Sequence, residues 1–171
     1  MNLTKNHVYN IIFWLILFIF MGYKSIIHTI NVHEEGVISA YQDYKVQSQA
    51  RYTFLRFIKG IDGIRPPVYA KTSELLHAIK IESNPYEHIV LNDELTLFID
   101  QNIDKYKLSE KEYQSLQTFQ MYVKQESLIF NSHANSFNLL ISKFPYSLLS
   151  STKSQIKVGD LDGVEGVIVE R

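Results

Sequence analysis

Residues 109–149 read SEKEYQSLQTFQMYVKQESLIFNSHANSFNLLISKFPYSLL. At helical spacing Leu116, Val123, Phe130, Ala134, Phe137, Ile141, Phe144 and Leu148 fall on one stripe, and Phe130, Phe137 and Phe144 are successive heptad positions. Such a stripe is the buried face of a long core helix. Ser109 followed three residues later by Glu112 marks its start, because the hydroxyl and the carboxylate can satisfy each other's orphan backbone donors. Pro145 marks its far end, since proline has no N–H and clashes with the preceding turn.

Beside the stripe, Asn131 follows Phe130 and Asn138 follows Phe137, and the series closes on Phe144-Pro145. Upstream stand Glu35-Gly-Val37, Ala40-Tyr41 and Gln47-Ser-Gln49-Ala-Arg51. Together these segments resemble the hallmark helix and the first post-anchor helix of the LemA family of bacterial membrane-anchored proteins. The family usually carries Tyr-Asn where this chain has Phe-Asn, its arginine pair is reduced here to Arg51, and its following proline is absent. The resemblance therefore identifies a divergent member. It implies a membrane-tethered α-helical bundle, with Arg51, Phe130, Asn131, Phe137, Asn138, Phe144 and Pro145 as structural or interaction residues.

Outward from that helix, the start of the chain supplies the membrane segment. Val8 to Met21 is apolar except for Asn10, with Tyr9, Tyr23 and Lys24 placed to sit at the interfaces. The apolar run is short for a span, but Ser25 to Ile30 can extend it. No small-residue cleavage site follows, because Gly22-Tyr-Lys-Ser25 is bulky, so a signal anchor is favoured over a cleaved signal peptide. Lys5 on one side and Lys24 on the other leave the orientation open.

Helical periodicity continues through Val37, Tyr41, Tyr44, Tyr52, Leu55 and Ile58 until the segment from Gly60 to Pro67 stops it. Two shorter apolar segments come next, Ser73 to Ser83 and Asn92 to Tyr106, separated by Asn84-Pro85-Tyr86, with Asn92 as the expected N-cap of the second. Laid end to end, this pair matches one long helix. The expected fold is thus all-α: an N-terminal transmembrane helix (1–30) continuing into an antiparallel bundle of long helices (31–152). A short irregular or hairpin tail (153–171) completes it, with β-branched residues flanking Gly159-Asp-Leu-Asp-Gly163.

Composition narrows the function. Seventeen basic against eighteen acidic residues, a formal net charge of −1 and no Lys/Arg cluster remove the electrostatic footprint of nucleic-acid binding. The absence of cysteine excludes disulfides, thiolate metal sites and cysteine nucleophiles. Glu74-Leu-Leu-His77 has the Glu-x-x-His spacing of di-iron bundles, but no second such pair exists, and His7, His28, His33, His88 and His133 show no ligand spacing. Asp160-Leu-Asp162-Gly163 lacks the remaining ligands of a calcium loop. Phosphate-binding glycine loops and nucleophile elbows are absent.

Asn131 and Asn138 are expected to hydrogen-bond across to Gln47, Gln49 or Arg51 and so fix the register of the bundle. The resulting expectation is a single-pass, non-enzymatic scaffold or interaction module at a bacterial inner membrane, with no cofactor. Its partners are then the lipid bilayer and other membrane or envelope proteins, with homo-oligomerisation left open. The alternative is a metal- or ligand-binding bundle using Glu74 and His77.

Overall fold

A computed structural model describes residues 5–59, 66–150 and 156. Helix α1 (Lys5–Lys59) is a single unbroken helix of 55 residues. It is followed by α2 (Pro66–Ile81), α3 (Pro85–Asn102) with a 3-10 turn at Ile103–Tyr106, α4 (Glu110–Ser142) and the one-turn α5 (Tyr146–Leu149). The described residues contain no strand, and the fold is the expected all-α bundle. The proposed tail hairpin, apart from Ile156, and the break at 60–65 lie outside the described residues.

Helices α1 and α4 are the spine of the bundle and run antiparallel. Tyr41 packs on Phe130 at 5.6 Å and Phe54 on Phe119 at 5.2 Å between ring centroids. Each presents a buried row at three- and four-residue spacings, the pattern that lets side chains interdigitate along a seam. On α1 the row is Val37, Ala40, Tyr44, Ser48, Arg51, Leu55 and Ile58; on α4 it is Leu116, Gln120, Val123, Ser127, Phe130, Ala134, Phe137 and Ile141. Gly36 marks a close approach, since a Cβ there would stand 3.2 Å from His133 Nδ1.

The start of α4 forms as expected. Ser109 N–H donates to the Glu112 carboxylate at 2.8 Å, and Glu112 N–H donates to Ser109 Oγ at 3.4 Å. Ser109 Oγ also donates to the Glu112 carboxylate at 2.6 Å, and this bond, with that from the Ser109 N–H, holds the Glu112 carboxyl below its ordinary range. The far end differs. The helix stops at Ser142, so Phe144 and Leu148, expected on the core stripe, are 79% and 67% exposed. Pro145 forbids a further helical turn, and without it the stripe loses its phase. The Phe144–Pro145 peptide is cis.

The short helices also depart from expectation. Helix α3 begins at Pro85 rather than Asn92, capped by Asn84, whose side chain accepts from Tyr86 and Glu87 N–H. An Asn N-cap followed by Pro at the first helical position, where no N–H is needed, is the stronger start signal. The short connection between α2 and α3 folds them side by side rather than end to end. Thr72 Oγ1 meets the Tyr106 hydroxyl at 2.6 Å, closing this hairpin at its far end.

Two cores result. The one distal to the N-terminus joins all four main helices through Leu55, Ile58, Leu75, Leu76, Ile79, Leu95, Ile99 and Leu116. The one nearer the N-terminal end of α1 joins α1 and α4 through Ile30, Val37, Phe130, Phe137 and Ile141, with Ile89 of α3 and the inward side of α5. Among the described residues, no other element packs on α1 beyond Ile26 toward the N-terminus. Its most apolar window has a mean hydropathy of 1.9 and is 0% buried, which makes α1 a helix long and apolar enough to cross a membrane.

Phe137 is 1% exposed in the core nearer the N-terminal end of α1. Phe137→Ala is expected to lower the unfolding free energy of the full chain in detergent by about 3–5 kcal/mol. A denaturant midpoint unchanged from wild type would show that this core does not stabilise the bundle.

Candidate functional site

The row of buried residues on α1 is apolar except at Ser48 and Arg51, and that on the facing side of α3 is apolar except at His88 and Asn92. These interruptions meet. Arg51 is 0% exposed, and its Nη2 donates to Asn92 Oδ1 at 2.6 Å and to the Asn92 carbonyl at 3.0 Å, while Nη1 donates to Thr96 Oγ1 at 2.5 Å. Ser48 Oγ donates to the same Asn92 Oδ1 at 3.0 Å, and Asn92 Nδ2 donates back to the His88 carbonyl at 2.8 Å. Thr96 Oγ1, having accepted from Arg51, donates to the Asn92 carbonyl at 2.9 Å. His88, Asn92 and Thr96 recur every four residues, so one face of α3 supplies the whole acceptor set.

The electrostatics are set by burial. Desolvation pushes the Arg51 guanidinium down to about 10, against the opposing pull of Tyr44, Asp93 and Asp100, so it stays charged at neutral pH. Burial pushes the Tyr44 phenol up. His88, edge-on to the rings of Tyr41 and Tyr44 at 6.1 and 5.5 Å, is lowered to about 4 by burial, aided by Lys45 and Arg51 and opposed by Glu82. It is therefore neutral at pH 7.

Four buried polar atoms here lack a hydrogen-bond partner among the described protein atoms: Arg51 Nε, His88 Nδ1 and the hydroxyls of Tyr41 and Tyr44. The Tyr44 hydroxyl feels the Asn92 amide but lies outside hydrogen-bonding geometry. Each such group costs roughly 1–3 kcal/mol.

A cleft of about 80 Å³ opens beside this cluster, lined by Lys45, Ser48, Gln49, Ile79, Lys80 and His88 among others. At roughly 30 Å³ per water it holds two or three waters, well below the several hundred Å³ of a metabolite pocket. A second depression, of about 330 Å³, lies over Lys111, Gln114, Ser115, Thr118 and Phe119 at the start of α4, none of them buried.

The residues singled out in the sequence are distributed rather than gathered. Arg51 is central, but its partners are on α3, not on α4. Phe130 and Phe137 are core, and Asn131 is buried at 7% exposure. Asn138 bonds Ile156 where Gln47, Gln49 or Arg51 was expected. Its amide forms a two-point clamp on the tail, donating from Nδ2 to the Ile156 carbonyl at 2.8 Å and accepting the Ile156 N–H at 2.9 Å. Phe144 is exposed and Pro145 half-buried.

Glu74 and His77 are exposed, and the Glu74 carboxylate lies 3.6 Å from Lys71 Nζ, which also approaches Glu94 at 3.3 Å. Among the described residues no group of three His, Cys, Asp or Glu side chains could hold a metal. The partners of Arg51 escape a sequence reading because Asn92 has the local pattern of a cap. The signal that marks them is polar residues at core-phase positions, Ser48 and Arg51 on α1 against His88 and Asn92 on α3. Compared with protein-family models, with curated proteins and with solved structures, the chain matches none.

Asn92→Leu removes the side-chain acceptor shared by Arg51 and Ser48 and leaves the guanidinium the residue-92 carbonyl and Thr96, and is expected to destabilise the full chain by about 1.5–3 kcal/mol, whereas Arg51→Met combined with Asn92→Leu recovers most of the loss. Chemical denaturation of the single and double variants measures this; equal losses in both would show that Arg51 and Asn92 act independently.

His88 predicts a pH dependence. Its folded pKa of about 4 lies below the ordinary 6.5, so between these values the unfolded chain binds more protons. The stability it contributes is complete above about pH 6.5, falls as the pH drops toward 4 and levels off below, with a loss of at most about 3 kcal/mol before solvent screening. Unfolding titrations of wild type and His88→Gln between these pH values should differ in slope, and parallel curves would count against the assignment.

Proposed function

We propose that the chain is a divergent LemA-type protein of a bacterial inner membrane, single-pass and non-enzymatic, whose helical bundle is a scaffold or interaction module. The observation that carries the membrane part is the continuity of α1. One helix of 55 residues supplies an apolar segment on which no other described element packs and, without a break, the spine of the bundle. Apolar residues exposed all around one end of a helix have a favourable environment in lipid and a costly one in water.

The interaction part is supported by what the bundle presents. Its most polar interior point is occupied by Arg51 and its own partners, and the neighbouring cleft is of water size. Outside, the bundle exposes large apolar side chains along both spine helices, among them Val46, Met121 and Leu128. The aromatic-Asn series that resembles the LemA family supports the bacterial setting.

The test uses the full chain in bacterial cells. Membranes washed at alkaline pH are expected to retain it, and Ile16→Arg with Ile19→Arg, each costing roughly 2.5–3.5 kcal/mol at mid-bilayer, to release it. A photo-crosslinking side chain at Met121 or Leu128 should then give discrete adducts with membrane or envelope proteins. Gln117→Cys, exposed in a chain without native cysteine, reports the side of the membrane through an impermeant thiol reagent. Wild type lost in the wash would overturn the anchor. Stoichiometric metal on the purified chain, abolished by Glu74→Ala, would replace the scaffold reading with the metal-binding one.

A further inference from the structure

We propose that α5 is a second, shallow membrane contact, in which Phe144 and Leu148 enter the lipid–water interface beside the point where α1 leaves the bilayer; this rests on the membrane-anchor reading above. Three observations place them there. First, the register of the spine is fixed by Gly36 against His133, Tyr41 against Phe130 and Phe54 against Phe119. Continued toward the N-terminus, it sets Ile141 level with about residue 29 of α1, at about 1.5 Å of rise per residue on each helix. Ile141 and Ile30 share the same core. The chain then leaves α4, α5 packs back on α1, and Ser150 Oγ just past α5 donates to the Ile141 carbonyl at 3.0 Å, which keeps α5 beside the end of α4.

Second, the hydrocarbon edge falls at the same level. About 30 Å of hydrocarbon takes roughly 20 helical residues, which counted from Val8 ends near Ile27; the interfacial Tyr23 and Lys24 lie only about one turn before it. Ile26, half-buried against the span-proximal core, is therefore both the base of the bundle and the edge of the bilayer.

Third, the segment made of α5 and the Phe144-Pro145 pair just before it is two-faced. Tyr146 and Leu149 are half-buried and pack on that core, while Phe144 and Leu148 stand 79% and 67% exposed. Leu139 at 58% exposure and the exposed Lys143 border them. An exposed Phe and Leu next to a Lys, within a turn of a membrane edge, match the composition of interfacial anchors, with the rings in the acyl boundary and the charge among headgroup phosphates. Continuity with the span selects lipid over a protein as the occupant.

Trp14 is the only tryptophan and lies in the span, so the chain carries its own control. The full chain is reconstituted in vesicles of phosphatidylcholine and phosphatidylglycerol whose acyl chains are brominated either near the headgroup or near the tail end. Wild type reports the anchor through Trp14. Phe144→Trp and Leu148→Trp, each in a Trp14→Phe background, report α5. Phe57→Trp in the same background reports the far end of the bundle, about 45 Å along α1 from Ile27.

The expected result is loss of Trp14 fluorescence with both lipids, loss of the α5 signals chiefly with the headgroup-proximal bromines, and no loss at position 57. If Trp14 is quenched while both α5 reporters emit as in water, the proposal falls and the anchor stands. A blue-shifted α5 emission without bromine quenching would mean that protein covers the patch, which also overturns it. Quenching at position 57 would show that the bundle lies flat on the bilayer and that α5 has no special contact. Unquenched Trp14 removes the anchor reading itself. Helical circular dichroism of each variant, equal to wild type, verifies that the reporters sit in folded protein, and the two α5 reporters test the same contact independently.

Discussion

The bundle depends on how it accommodates one buried charge. A guanidinium taken fully out of water is tolerated only where its protons find acceptors, and two consecutive turns of α3 provide them. The need is specific in space. Sliding α3 by one turn along α1 would set either His88 or Thr96 where Asn92 stands, and neither offers a side-chain carbonyl together with a threonine hydroxyl one turn on. The polar set thereby fixes which level of α3 faces which level of α1, a selection that the apolar rows above and below it, being made of similar residues, enforce less sharply. Such a plug contributes more to uniqueness of packing than to stability, given four buried polar atoms without partners around it.

That constraint explains why the molecule is built in two halves. The α2–α3 hairpin is pinned to the level of Arg51 and beyond, so four helices surround the distal core. Nearer the apolar N-terminal segment only α1 and α4 remain, with Ile89 near the start of α3, and two helices cannot enclose a core by themselves. The chain beyond α4 fills the gap: α5 packs its inward side on α1, and Asn138 holds the Ile156 backbone with both ends of one amide. Ile156 packs against the same core. The close approach at Gly36 belongs to this half, where the two spine helices must meet without a third to fill between them.

The parts of this architecture legible in the sequence are those where one periodicity acts alone. The stripe from Leu116 to Ile141, the box at Ser109 and Glu112, and the continuity of α1 each rest on local pattern, and each is present in the fold. What is not legible depends on two segments at once. Asn92 followed by Asp93 and Glu94 looks like a cap, and only the presence of Arg51 opposite shows it to be interior. The stronger cap at Asn84-Pro85 competes with it and wins, since Pro at the first helical position gives up no hydrogen bond. End-to-end and side-by-side packing of α2 and α3 bury the same stripes, and the short turn with its cap decides between them.

The aromatic-Asn series shows how one repeated motif comes to three different ends. In a straight helix a seven-residue repeat drifts by about 20° per heptad relative to the helix face. Phe130 and Phe137 both remain within the core, but the residue after each moves outward: Asn131 is buried at 7% exposure, whereas Asn138, one heptad on, is half-buried at the edge where the tail crosses. At the third repeat the residue after the aromatic is proline, the helix has already stopped, and Phe144 is released to the outside. The drift turns a row that would otherwise be uniform into a graded one, from core through tail clamp to surface. The gradation runs toward the end of the bundle where α1 emerges, so the most exposed aromatic of the series stands beside the segment that is itself exposed on every side. Drift grades the first two repeats, and the stop before Pro145 turns out the third, so a heptad repeat and a helix terminator together, rather than the repeat alone, leave an apolar side chain just past the end of α4.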